Sequence, residues 1–222
     1  MVEASIPNDA IEVDNSRYCV VDFPEGEPVL IIDGHEENRN AFYLLSVFQP
    51  QTADVSGSGR TTALTGIVPT VEEAELLNSI SLEELQQTYR AVYLLDVPRL
   101  DDAAIKKLEA YVAGGGGLAI FLGDNANPTH DREALYNEGQ GLMPMPLDKL
   151  ELLTLGDLDD EQRAPDFTAA DHPVMEVFNH RITGVLFRRG VMIGTYYLTP
   201  PGWMPPQGDT VRVLATLRDK AK

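Results

Sequence analysis

The run YRAVYLLDVPRLDDAAIKKLEAYVAGGGGLAIFLGDN, residues 89–125, leaves the chain few folds to choose from. Residues 91–95 are an apolar stretch short enough for a buried parallel strand, and it ends at Asp96. Asp101 or Asp102 then caps a helix with Ala104, Ile105, Leu108, Tyr111 and Val112 on one face. Four glycines, residues 114–117, end that helix, because glycine enters the left-handed cap without a Cβ penalty. Residues 118–122 read as a second buried strand, and Gly123-Asp124-Asn125 as the turn leaving its carboxyl end. Two parallel strands joined by a helix form a right-handed βαβ unit, and open α/β sheets bind ligands beyond the carboxyl ends of their strands. The turn at Asp124 is where a nucleophile would sit. It holds none.

The same logic extends outward. Residues 29–32 (VLII) give an earlier buried strand that ends in Asp33-Gly34-His35. A helix starting near Asn38 follows, with Ala41, Leu44, Leu45 and Phe48 on one face and Pro50 as its stop. Residues 51–62, with GSGR inside them, read as a flexible loop, 65–68 as a short strand and 82–86 as a short helix. Residues 1–16 are polar and acidic and are expected to be disordered at their start. RYCVVDF at 17–23 alternates like an edge strand or the end of a preceding β-module, cut off by PEGEP. Beyond Asn125 the pattern predicts a helix over 128–136, a GQGLMPMP loop, a strand or irregular edge within 147–155 and an acidic loop over 156–164. A short helix opened by ADHP runs through Phe178, strands at 185–187 and 191–198 flank Arg188-Arg189-Gly190, PPGWMPPQG forms a turn, and 211–217 is a last strand. Alternating strands and helices followed by a strand-rich stretch imply an α/β class chain, a mainly parallel doubly wound sheet with a β-rich C-terminal extension.

The charge narrows the partners. At 222 residues the chain can bury one sizeable core, and its formal net charge of −18 argues against a nucleic-acid or anionic-membrane surface, where phosphate binding needs clustered Lys and Arg. That charge suits a solvated acidic surface, a salty environment, or a basic or cationic partner, with the solvated surface as the plainest reading. No run approaches the roughly 18 apolar residues of a membrane span, and the first residues lack the pattern of a signal peptide. One cysteine, Cys19, excludes an internal disulfide framework and a multi-cysteine metal site.

PVLIIDG (28–34), VYLLDVPRLD (92–101), YVAGGGGLAIFLGD (111–124), DHPVMEVF (171–178) and VRVLATL (211–217) together resemble the class I glutamine amidotransferase-like fold, a flavodoxin-like three-layer α/β/α sandwich. More narrowly, the chain resembles the amidotransferase-like domain of large bacterial membrane proteins with an aerotolerance-regulator (BatA-type) N-terminus and often a von Willebrand factor A domain. The resemblance runs in order from about Arg17 to Leu217. It implies an amidotransferase-like domain over residues 28–222, preceded over 1–27 by a tail and the edge strand of an upstream β-sandwich. It also implies a segment of a longer protein, tethered to the bacterial inner membrane through its parent.

Chemistry departs from that family. Class I amidotransferases place a cysteine on a strand-to-helix elbow and use a downstream His and Glu for acyl transfer. The matching elbow here is Gly123-Asp124-Asn125, Cys19 precedes the first sheet strand, and His172 and His180 are followed by Pro173 and Arg181 instead of a His-x-Glu pair. Amidase activity is not expected, no cofactor is implied, and Cys19 reads as a half-buried apolar residue. What remains is a strand-end cleft in which Asp33, Asp96 and Asp124 each follow a parallel strand, with His35, Glu36, Glu37, Asn125 and His130 as neighbours. Oxygen-rich clusters of this kind suit a hard cation such as Mg²⁺, but the same aspartates serve equally as helix caps and turn pins. The capping reading is preferred, because no Ser/Thr or Lys partner stands at a later strand end. The glycine runs are not phosphate loops: residues 114–117 precede a strand, and GSGR lacks the Lys-Ser/Thr of a Walker motif. His172 before Pro173 reads as a loop tether. Trp203 is either a contact for a partner or a cover over a hairpin. The expectation is a non-catalytic domain binding a small ligand or a protein, the alternative a metal-dependent hydrolase or divergent enzyme using those carboxylates, and a third reading a structural spacer.

Overall fold

Strand β1 (Val2–Ser5) pairs antiparallel with β2 (Ser16–Cys19), so part of the polar start is ordered as a strand and not left disordered. Cys19 is exposed rather than half-buried, as expected of a small two-stranded ribbon. These residues belong to a computed structural model that describes residues 2–5, 16–20, 26–35, 37, 39–53, 60–62, 65–152, 167–181, 184, 190, 193–206, 208 and 210–217. The strand expected at 185–187, the Arg188-Arg189 pair beside it, the acidic loop at 156–164, Glu36 and Asn38 lie outside the described residues.

The centre of the fold is β3 (Glu27–Asp33), whose Leu30, Ile31 and Ile32 are wholly buried. It leads to helix α1 (Ala41–Phe48) and then to β4 (Gln51–Ala53) and β5 (Arg60–Thr62), which pair antiparallel where a flexible loop was expected. Threonine at Thr52, Thr61 and Thr62 favours extended backbone, which explains the ribbon. Next come β6 (Ile67–Glu72), α2 (Leu76–Ser79), α3 (Leu82–Thr88), β7 (Ala91–Leu95), α4 (Asp102–Ala113) and β8 (Gly117–Phe121). Four strands form one parallel sheet in the order β6-β3-β7-β8. The first strand made thus lies between the second and the third, and the order reverses between β3 and β7.

Register decides what each face buries. Ile31 lies opposite Val71 and Tyr93, and with Leu95 and Ala41 it forms a core onto which Leu44, Leu45 and Phe48 of α1 pack. Phe48 meets the Tyr93 ring edge-on at 5.4 Å. Leu30, Ile32, Val92 and Leu94 point to the opposite face and are also buried. Both faces are therefore covered at the central strands β3 and β7, whereas β8, expected to be a buried strand, is an edge strand with Phe121 49% exposed. β6 is longer than the short strand expected, and it tolerates Pro69 because it is an edge strand.

The glycine run has a packing reason beyond stopping a helix. Gly115 has φ of 96°, and a side chain on Gly116 would collide with the Tyr111 ring, coming within 2.6 Å of its Cδ1. Tyr111 is itself buried, and its hydroxyl donates to the Tyr89 carbonyl at 2.9 Å, fixing the helix end beside the start of β7. Asp101 is the residue that caps α4, its Oδ1 accepting from the Ala104 amide at 2.9 Å. Ala104, Ile105, Leu108 and Tyr111 are buried as the helical period requires, but Val112 is 39% exposed: it lies at the rim of that stripe in the last turn.

The chain divides into two compact units, Met1–Pro98 with Ala110–Asn125, and Arg99–Glu109 with Ala126–Lys222. The second contains α5 (Pro128–His130), which continues into a π-helix (Asp131–Tyr136) and a short 3₁₀ turn (Asn137–Gly139). Strand β9 (Leu150–Leu152) pairs antiparallel with β11 (Thr195–Tyr197), and β10 (Phe167–Ala169) with β12 (Ala215–Leu217). Between β10 and β11, His172 caps a 3₁₀ turn (Pro173–Met175) by accepting from the Val174 amide at 3.3 Å, as a loop tether would, and α6 (Glu176–Asn179) follows.

Candidate functional site

The switch point between β3 and β7 is where a doubly wound sheet opens a crevice. Here the aspartates that end β3 and β7 are engaged by the chain itself. Asp33 ends β3 with a carboxylate only 4% exposed, and three donors from its own chain converge on it. Oδ1 accepts from the His35 amide and from Asn40 Nδ2, each at 3.0 Å, and Oδ2 accepts from the Ala41 amide at 2.7 Å. Asp33 thus caps α1 from eight residues away, the Asn40 side chain making no cap bond of its own. His35 Nδ1 accepts from the Glu37 amide at 3.2 Å, and Glu37 is ion-paired with exposed Arg39.

Asp96, at the end of β7, has φ of 49°, a left-handed conformation that aspartate tolerates better than most residues. That turn aims its carboxylate across to the end of β8. Oδ1 accepts from the Asn125 amide at 2.8 Å and Oδ2 from Asn125 Nδ2 at 3.1 Å. A Cβ on Gly123 would lie 2.5 Å from the Asp96 carboxyl carbon, so glycine is required for the two turns to meet. Asp96 and Asn125 are a clasp between neighbouring strand ends, and Asp124 beside them is exposed. No group of three or more His, Cys, Asp or Glu among the described residues is arranged to hold a metal ion.

His130, expected at the same edge, belongs to the other unit. Its amide donates to the capping Asn127 at 3.2 Å. Its Nε2 is the only buried side-chain nitrogen or oxygen without a hydrogen-bond partner among the described residues. Asp131 next to it is 3% exposed, and burial pushes its carboxyl up to about 6, against smaller lowering effects of His130 and the Asn127 backbone. With its folded-state value above the ordinary one, the native chain retains this proton as pH rises from about 4 to about 6, so stability falls across that window. Asp131→Asn is expected to flatten that slope and to be more stable than the parent at neutral pH by roughly 1–2 kcal/mol, checked by urea unfolding on both sides of the window.

The π-helix and the turn after it build a pocket of about 520 Å³. Arg132, Glu133 and Tyr136 reach it from the π-helix, a geometry often found at functional positions. Asn137 and Glu138 follow with φ of 43° and 55°, two successive non-glycine residues in left-handed backbone, and both line the pocket. Pro146, Pro200 and Trp203 complete the wall. The indole Nε1 of Trp203 donates to the Tyr136 hydroxyl at 3.2 Å, so Trp203 is a wall of a cavity. The one signal for this site in the sequence was PPGWMPPQG, which names Trp203 but not its partner.

No helix among the described residues is long and apolar enough to cross a membrane. No family model, curated protein or solved structure matches this chain.

Proposed function

We propose that this chain is a non-catalytic domain for binding a small ligand or a protein, of the class I amidotransferase-like kind, within a larger membrane-anchored bacterial protein. The observation that carries the first part is that the carboxylates of Asp33 and Asp96 are engaged within the chain. Asp33 accepts three hydrogen bonds and Asp96 two, all from the chain itself, at the edge where an enzyme of this architecture would keep its reactive groups free. Asp124 occupies the elbow where the resembling family has its cysteine. Support for the three-layer sandwich comes from the reversed strand order and from burial on both faces of β3 and β7. Three of the five motifs behind the resemblance fall on β3, β7, the end of α4 and β8, while DHPVMEVF falls on the 3₁₀ turn and α6 and VRVLATL ends in β12, which pairs with β10 outside the parallel sheet. The tethered parent, with its β-sandwich and von Willebrand factor A neighbours, rests on the resemblance alone.

The test is thermal unfolding with and without millimolar Mg²⁺, Ca²⁺ or Mn²⁺, on the parent and on Asp124→Asn. A cation bound only by the native state raises the midpoint by linkage. The expected result is an unchanged midpoint with each metal, and a variant within about 0.5 kcal/mol of the parent, as for an exposed side chain. A rise with one metal, lost in the variant, would replace this reading with a metal-dependent enzyme.

A further inference from the structure

The pocket of the second unit has a chemistry of its own. Its volume of about 520 Å³ suits a small molecule or a single side chain. Two aromatic residues and two prolines give it apolar walls, and aromatic faces attract cations. The indole N–H, which would otherwise serve an anion, is already donated to Tyr136. Glu133 and Glu138 are the two acidic residues of the lining. Against them stands one cation, Arg132, and its Nη1 lies 4.0 Å from Asp148 Oδ1, so that charge is partly offset from outside the pocket. An anion would meet two like charges here, and a neutral apolar guest would cover carboxylates without compensating them. The formal charge of −18 further raises the local concentration of cations.

We propose that the pocket formed by Tyr136, Trp203, Glu133 and Glu138 binds an organic cation, an alkylammonium or guanidinium group, either free or as the end of a Lys or Arg side chain. The proposal rests on the reading of this chain as a binding domain and supplies its ligand class. Aromatic faces hold the cation and the two carboxylates set its sign. Asn137 and Glu138, both in left-handed backbone, line the same cavity as the two aromatic residues.

Trp203 is the only tryptophan of the chain, so intrinsic fluorescence reports on this pocket directly. The intact protein is titrated with choline, arginine amide, a short arginine-rich peptide, acetate, and 3,3-dimethyl-1-butanol, which has the shape of choline without its charge. The expected result is a saturable change in Trp203 emission with choline or arginine amide and none with acetate or the neutral isostere. Glu133→Gln together with Glu138→Gln, both exposed positions whose replacement leaves the fold intact by circular dichroism, should weaken the cation by about fivefold or more. A peptide binding at least tenfold tighter than arginine amide identifies a protein side chain as the source, and equal binding identifies a free cation. The assignment is overturned if neither cation gives a saturable change, if the isostere matches choline, or if the folded double variant binds as the parent does. Saturation by acetate or the isostere alone would reject the cation and leave the binding reading standing. Failure of that reading appears instead in the metal-dependent midpoint at Asp124.

Discussion

Replacing Gly34 with alanine is expected to be the most damaging single methyl that can be added to the strand ends of the parallel sheet. The new Cβ would fall on the Asp96 carbonyl oxygen, 2.7 Å from the Asp96 carbonyl carbon and 2.8 Å from Val97 Cα. All three are backbone atoms and cannot rotate aside. Relief requires β7 to draw away from β3 at the hydrogen bond from the Gly34 amide to the Leu95 carbonyl, 2.8 Å long. That movement would disturb the Asp96 clasp on Asn125 at the same time. Overpacking against fixed backbone costs about 3 kcal/mol or more, a large share of the roughly 5–15 kcal/mol that holds a typical domain together. Guanidinium unfolding should show a midpoint shifted sharply down. Gly194→Ala is the control, since nothing lies within 4 Å of its Cβ position and its φ is ordinary, and it should change stability by less than about 0.5 kcal/mol. Similar losses for both variants would mean that β3 and β7 are not held together as tightly as this contact implies.

Asp33→Ala should come next in size, by a different mechanism. It removes the acceptor for three donors at once, on a side chain that is almost wholly buried. Orphaned donors keep their desolvation cost, and a bond to a charged acceptor contributes more than a neutral one. About 3–5 kcal/mol is expected, felt most at the start of α1, where the Ala41 amide loses its cap. Asp33→Asn keeps the shape and one acceptor oxygen but turns an amide against the remaining donors, so roughly half the loss should return. Hydrogen exchange would place the effect: amides of α1 should lose protection in the alanine variant before those of β7. If Asp33→Ala proved neutral in stability, the carboxylate would be available to an external ligand and the capping account would fail.

Much of the parallel sheet and of α4 was legible because their signals are local. Residues 29–32, 91–95 and 118–122 are short apolar runs, and the helix between the last two carries its cap at Asp101 and its glycine stop within one stretch. What escaped was local sequence overruled by partners elsewhere. Val2–Ser5 becomes a strand only through β2, and the short strand expected at 65–68 runs on to Glu72 across a proline that only an edge position excuses. Phe167–Ala169 has no alternation long enough to notice, and its first residue pairs with Leu217, fifty residues further along. The strand-end aspartates were found by position, but whether they bind a metal or cap a helix depends on donors such as Asn125, 29 residues from Asp96. The pocket was the least visible of all. Tyr136 and Trp203 are 67 residues apart, and nothing in either segment names the other.

The central place of β3 has a consequence for how this chain is made. Its strand is synthesised before either neighbour, yet its Leu30, Ile31 and Ile32 end with no exposure at all. Val29 waits for Ala91 before its second edge is paired. At ~5–20 residues per second, that interval lasts on the order of several seconds. Throughout it an uncharged, β-branched segment stands open on the nascent chain.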